Sequence, residues 1–337
     1  MRFIHLKQLV SIYITVFFLV SCDNRETICE QAPSMEDLVE EVKIERKEKE
    51  LFNLSSKIEL VDFMKDNPEY TREFLNSTQF PDDSTFINSL YGLINDPYVD
   101  TLYNEVSAHF KDMGKLKSDL STAFARIKYY YPNFKAPKVQ TGISGFGTDL
   151  YISDSIVVIG LDFFLGRYGS YRPQEIPEYL VKRLEEEYIV PNIVLHLSKN
   201  WNELDVDDNS FLADMIFYGK SFYFTKRVLP CTPDTLIIQF TDKELSDASE
   251  NDHIIWASFL TNELLYETSH FIKRKYLEER PNIPEIGENC PGRVGVWVGW
   301  EIVEQYMSKE DITLQELMKT ADAEPIFRSS RYKPNNL

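Results

Sequence analysis

The stretch from Pro191 to Phe224, PNIVLHLSKNWNELDVDDNSFLADMIFYGKSFYF, restricts the fold more than any other part of the chain. Apolar residues recur at spacings of three and four through Ile193, Val194, Leu197 and Trp201. They recur again through Phe211, Leu212, Met215, Ile216, Gly219 and Phe222. That period gathers them on one side of each of two helices. Pro191 suits the first turn of the first helix, and Asn209 or Ser210 suits the cap of the second. The stretch therefore predicts two core helices joined by an acidic loop. Gly219, inside the second helix beside Lys220, predicts close packing against another helix.

The same residues bear on chemistry. A helical His-Glu-x-x-His pair sets two imidazoles on one face to hold zinc, with the Glu as base. The aligned string here is His196-Leu197-Ser198-Lys199-Asn200, so Leu stands at the base position and Asn at the second ligand position. One imidazole alone does not hold a catalytic zinc. Glu263, Glu267 and His270 fall at i, i+4 and i+7 of a second apolar-periodic run, from Asp252 to Tyr276. On one helical face they would offer a metal three ligands, although a solvated face accounts for them more simply. Asp205, Asp207 and Asn209 imitate the start of a calcium loop, but Ser210 and Ile216 stand where that loop needs Gly and Glu. Lys220 reads as an amine paired with an acid such as Asp214, or reaching to the surface. No G-x-S-x-G elbow and no C-x-x-C pair occurs. The sequence offers no self-consistent catalytic set and calls for no metal and no cofactor.

The amino terminus fixes the compartment. Residues 1–21 carry Arg2 and Lys7 ahead of an apolar run from Leu9 to Val20. That run, about a dozen residues, is too short to span a bilayer and reads as a secretory signal peptide. It ends in Leu19-Val20-Ser21-Cys22, a bacterial lipobox. The expected product is cut before Cys22 and acylated there, palmitate-type chains then anchoring it to a membrane. Residues 22–33 read as a polar tether, and residues 34–337 as one globular domain. The whole chain has 36 basic and 54 acidic side chains, a net charge of −18. Removing residues 1–21 removes Arg2 and Lys7 and no acid, giving −18 − 2 = −20. Such a surface repels nucleic acid and anionic head groups. Cys29, Cys231 and Cys290 remain after lipidation, and their pairing stays open.

Along the rest of the chain, Val42 to Phe52 alternates and predicts a strand with one wet face. Ser55 or Ser56 caps a helix through Met64. A long helical pattern runs from Thr101 to Tyr130, with Gly114 as a point of interruption. Lys138–Ser144 and Leu150–Leu161 predict two strands joined by a Gly145-Phe146-Gly147 turn. Pro177 to Glu187 predicts a helix, Leu236 to Phe240 an extended segment, Gly295 to Met307 a core helix, and Thr313 the cap of a last helix to Thr320. The fold class is α+β, predominantly helical, with a small β-sheet and packed C-terminal helices.

Several long strings taken together resemble a known family. Tyr188-Ile189-Val190-Pro191, LADMIFYGK at Leu212–Lys220, PGRVGVWVGWEIVEQYM at Pro291–Met307 and the terminal SSRYKP are similar to the GldB gliding-motility lipoproteins of Bacteroidetes. The likeness covers most of the mature chain, and the lipobox at Cys22 fits it. One departure is Arg46-Lys47-Glu48, where the family often has Arg-Phe-Asp. The resemblance implies a cell-envelope lipoprotein, periplasm-facing, associated with gliding and the type IX secretion machinery and with envelope proteins as partners. It also implies a zincin-like core, distantly related to predicted zinc peptidases. In those a second helix with Glu-Gly supplies the third ligand, whereas Tyr218 precedes Gly219 here. With Leu197, Asn200 and Tyr218 at three of the four positions and His196 at the fourth, the resemblance implies a retained scaffold without catalysis. The alternatives are a divergent metal-dependent hydrolase and a small-ligand carrier with an apolar pocket near Tyr218 and Trp300.

Overall fold

The computed structural model describes Cys29, Met35, residues 38–174 and residues 176–334. The residues expected to form the signal peptide and the tether, Cys22 included and Cys29 apart, lie outside the described residues. Residues 34–337 form one compact unit.

The sheet has four short strands: β1 (Ile44–Arg46), β2 (Lys138–Gly142), β3 (Leu150–Ile152) and β4 (Ile156–Gly160). Their order is β1-β2-β4-β3, with β1, β2 and β4 parallel and β3 antiparallel on β4. All five residues of β4 are buried. A strand covered on both faces reads as a continuous apolar run, which is why Val157-Val158-Ile159 stands out in the sequence. Alternation then divides it: Val157 and Ile159 enter the main core, and Ile156 and Val158 a second core with Leu60, Phe63, Tyr70 and Phe74.

Two strand expectations are corrected here. Residues 150–161 form a hairpin rather than one strand, because Ser153 turns the chain: its Oγ accepts from the N–H of Ser155 and of Ile156. The segment 42–52 is strand only over β1 and then becomes helix α1 (Lys47–Phe52). The reason is a buried acid. Glu48 is fully buried, accepts from Thr141 Oγ1 at 2.6 Å and pairs with Arg46. That bond ties the first turn of α1 to β2.

Before β2 come α2 (Lys57–Asp66), α3 (Asp83–Ile94), α4 (Pro97–His109) and α5 (Gly114–Tyr130). Ser56, Asp82 and Asp96 accept from backbone N–H groups at three of their N-termini. The pattern expected to run on from Thr101 breaks between His109 and Gly114, where Asp112 Oδ1 takes the Gly114 N–H at 2.8 Å.

The central pair is α6 (Ile189–Leu197) and α7 (Phe211–Val228), as its spacing predicts, and Ser210 caps α7 through the Ala213 N–H. Helix α7 packs chiefly on a third, glycine-bearing helix beyond Pro291. Between them lie α8 (Asp234–Ile238), α9 (Asp242–Glu250), α10 (Asp252–Thr261) and α11 (His270–Leu277), followed by that partner, α12 (Val294–Lys309). A Cβ at Gly219 would lie 2.2 Å from Gly299 O, and one at Gly299 would lie 1.9 Å from Met215 O. Only glycine permits that approach. The chain ends in α13 (Leu314–Lys319), with a Thr313–Glu316 capping box, and α14 (Ala323–Ser330). Tyr332 of the terminal string packs edge-on against Trp256 at 5.0 Å.

Three further expectations give way. Residues 236–240 lie mostly in helix α8 rather than extended chain, Pro233 preceding its first residue. Residues 177–187 wind as tight three-residue turns over Glu178–Arg183 and Glu186–Tyr188. The run from Asp252 to Tyr276 is cut after Thr261, and Phe271, expected inward, is 71% exposed.

Candidate functional site

The three residues compared above with a zinc-peptidase site lie on successive elements: His196 on α6, Asn200 in the 3-10 turn after it and Tyr218 on α7. Helix α6 ends at Leu197, one residue beyond His196, and Ser198–Asn200 tighten into a 3-10 turn. Ser198 is buried and its Oγ bonds back to Leu195 O at 2.6 Å, which competes with continued α-helix. Two residues on, the buried Asn202 donates to Phe217 O and Ser221 Oγ, both at 2.8 Å, pinning the chain reversal onto α7. Asn200 therefore does not sit one α-helical turn above His196. His196 is exposed, and partial burial with the nearby Lys199 lowers its imidazole pKa, which favours the neutral form. Asn200 lines a cavity with Tyr131 and Trp201. Tyr218 lines a different cavity, about 210 Å³, with Glu203, Asp214 and Lys220. Its phenol is pushed up by burial and then by Asp214.

The second metal candidate dissolves on inspection. Glu263 sits at φ 52° between helices, Glu267 is extended, and His270 begins α11. They share no helical face, because the chain turns twice between them. Glu267 instead accepts from the Ser269 N–H, and His270 is an exposed neighbour of Glu278 at 3.9 Å. Among the described residues no group of three or more His, Cys, Asp and Glu is placed to hold a metal.

Lys220 is also corrected. It does not pair with Asp214, whose partner is Lys273 at 2.7 Å. It is 1% exposed and donates to two backbone carbonyls, Glu203 O at 2.6 Å and Thr320 O at 2.7 Å. The amine thus ties the loop before α7 to the end of α13. Burial pulls its pKa down to about 8. A small-ligand pocket between Tyr218 and Trp300 is likewise not what forms. Trp300 is 4% exposed and stacks on Phe222 at 5.6 Å, within the core.

Other polar features escaped the sequence reading. Asp162, just beyond β4, is 1% exposed and accepts from the Phe146 N–H at 2.7 Å and the Ser144 N–H at 3.2 Å. It holds the predicted turn, in which Gly145 and Phe146 both take positive φ, at 66° and 63°. Burial pushes its carboxyl up to about 6. Arg293, also at positive φ, donates to Ile238 O at 3.0 Å and shares Glu279 with Arg183. The Pro291-Gly292-Arg293 string is thereby a structural junction. Cys231 is disulfide-bonded, whereas Cys290 is free and buried, its thiol pushed up to about 12 by burial.

The geometry defines a predominantly helical α+β protein with a small four-stranded sheet, in which Asn200 and Tyr218 line different cavities. A family model described as gliding motility protein GldB matches residues 28–334. The chain belongs to that family of gliding-motility proteins, as its long strings suggest. No curated protein and no solved structure matches it. Among the described residues no helix is long and apolar enough to cross a membrane.

Proposed function

We infer that the chain is a lipid-anchored component of the cell envelope that serves the gliding and type IX secretion machinery by binding partners, not by catalysis. Residues 1–21 would be the signal peptide, Cys22 the acylated residue, residues 22–33 the tether and residues 34–337 the single periplasm-facing domain. The observation that carries the non-catalytic reading is the early end of α6: the helix stops at Leu197, and His196, Asn200 and Tyr218 face separate surroundings. That is the expected condition of a zincin-like scaffold that has lost its ligands. An acidic body suits docking to a basic partner, since charge complementarity raises encounter rates and selects partners.

The test is complementation of a deletion strain with wild-type, Cys22→Ala and His196→Ala genes, scored by colony spreading and palmitate labelling. Cys22→Ala is expected to lose both label and spreading, and His196→Ala to keep both. One tightly held transition metal per purified molecule, with an activity abolished by His196→Ala, would overturn the reading.

A further inference from the structure

An aromatic recess lies where α5 ends. Tyr131-Pro132 closes that helix, and Trp201 follows the 3-10 turn after α6. Their rings stack at 4.3 Å with 22° between planes, Phe134 meets Trp201 edge-on at 5.8 Å, and Phe224 backs Trp201 from the core. The cavity in front of them is about 760 Å³. That lies within the range of about 300–1,000 Å³ of small-molecule sites. Around the aromatic floor stand neutral hydrogen-bonding side chains, namely Asn133, Asn200 and Gln315. Gln315 is fixed there by its Nε2, which donates to Tyr130 O at 2.6 Å, leaving its amide oxygen as an acceptor. The Tyr131 hydroxyl is buried with no hydrogen-bond partner.

We propose that this recess is a saccharide-binding site. A sugar ring has a flat face of C–H groups and a rim of hydroxyls. Aromatic faces take the first, as they take other flat, weakly polarised groups. Neutral amides, which both donate and accept, take the second. Carboxylate or phosphate ligands are disfavoured because no arginine lines the cavity and an acid, Asp154, lines it beside the two exposed lysines, Lys135 and Lys319. A proline-rich peptide is the competing occupant of an aromatic groove. It would use the rings but would need few of the amides. The proposal goes beyond the partner-binding role above and does not depend on it: this site stays intact whether or not the chain serves gliding.

The experiment is calorimetric titration of the full mature lipoprotein in detergent with four probes. These are chitotriose, the GlcNAc-MurNAc disaccharide, maltotriose and decaproline. One or more of the saccharides is expected to bind and to change tryptophan fluorescence. Asn133→Ala, on an exposed residue of the lining, should weaken that binding about tenfold, as loss of one hydrogen bond to a ligand does. Asn200→Ala, on an exposed residue, should weaken it by a similar factor. Thermal midpoints of both variants check that the fold is kept, and should stay at the wild-type value or above. The proposal fails if none of the three saccharides binds, if decaproline binds in their place, or if both variants bind them as the wild type does.

Discussion

Single residues carry two of the strongest constraints in this chain. Lys220 is a buried cation with no acid in contact; two carbonyls from distant loops hold it instead. Replacing it by methionine keeps the stem but orphans both carbonyls, and the expected cost is about 2 kcal/mol in a urea unfolding experiment. Its pH dependence has a definite sign. Since burial lowers the folded pKa to about 8 from 10.5, the unfolded chain holds more protons between those values, and this group makes the protein more stable as pH rises through that window. Lys220→Met should lose that rise. Asp162 acts in the acid range. Its folded pKa, raised to about 6 from 3.8, means the native state holds more protons between those values. Its contribution therefore grows as pH falls from about 6 toward 4 and is absent above. Unfolding of the wild type and Asp162→Asn at pH 4.5, 5.5 and 7 should show the wild type gaining on the variant as pH drops. A flat difference would mean the carboxyl titrates normally.

Among the elements, the contact of α7 with α12 is the tightest. At Gly219 an added methyl meets the Gly299 carbonyl, and backbone does not yield as a flexible side chain does. Gly219→Ala should cost about 3 kcal/mol, the upper end of the range for overpacked cores. Gly92 supplies the control: it lies inside α3 with nothing within 4 Å of a built Cβ. Gly92→Ala should stabilise by about 0.5–1 kcal/mol through helix propensity alone. Equal effects on the urea midpoint would refute the packing account. The sequence made α7 and α12 legible because apolar period, cap and embedded glycine agree there. It concealed α8, since Leu236-Ile237-Ile238 has strand propensity and only tertiary packing makes it helical. It concealed the break after Thr261 as well. Leu264 stays buried across the turn, so the apolar period reads on, while the positive φ at Glu263 has no glycine to announce it. That one hidden turn is what separates Glu263, Glu267 and His270. That Leu197, Asn200 and Tyr218 differ from the ligands of a zinc peptidase was readable by identity. The 3-10 turn that ends α6 was not, because it depends on hydrogen bonds of Ser198 and Asn202. The tyrosine cluster Tyr129-Tyr130-Tyr131 before Pro132 was a visible sign of the aromatic recess.

For the molecule as a whole, charge is the governing quantity. Many basic residues are locally engaged, as in Lys115–Asp119, Lys243–Asp247 and Arg274–Glu278, each one helical turn apart. Exposed pairs of this kind contribute little individually, about 0.3–0.5 kcal/mol. The acids in excess of these pairs repel one another over the whole surface, so the folded state is opposed by its own net charge of −18. Salt screens both effects, but it acts more on the long-range repulsion than on contacts a few ångströms long. Raising NaCl from about 10 to 150 mM shortens the screening length from about 30 to 8 Å. The thermal midpoint at pH 7 should therefore rise by a few degrees over that range, followed by circular dichroism. A falling midpoint would mean that the local pairs outweigh the net repulsion. The same charge predicts that a short DNA duplex shows no retardation with this protein at 50 mM salt, where a nucleic-acid-binding surface would be strongest.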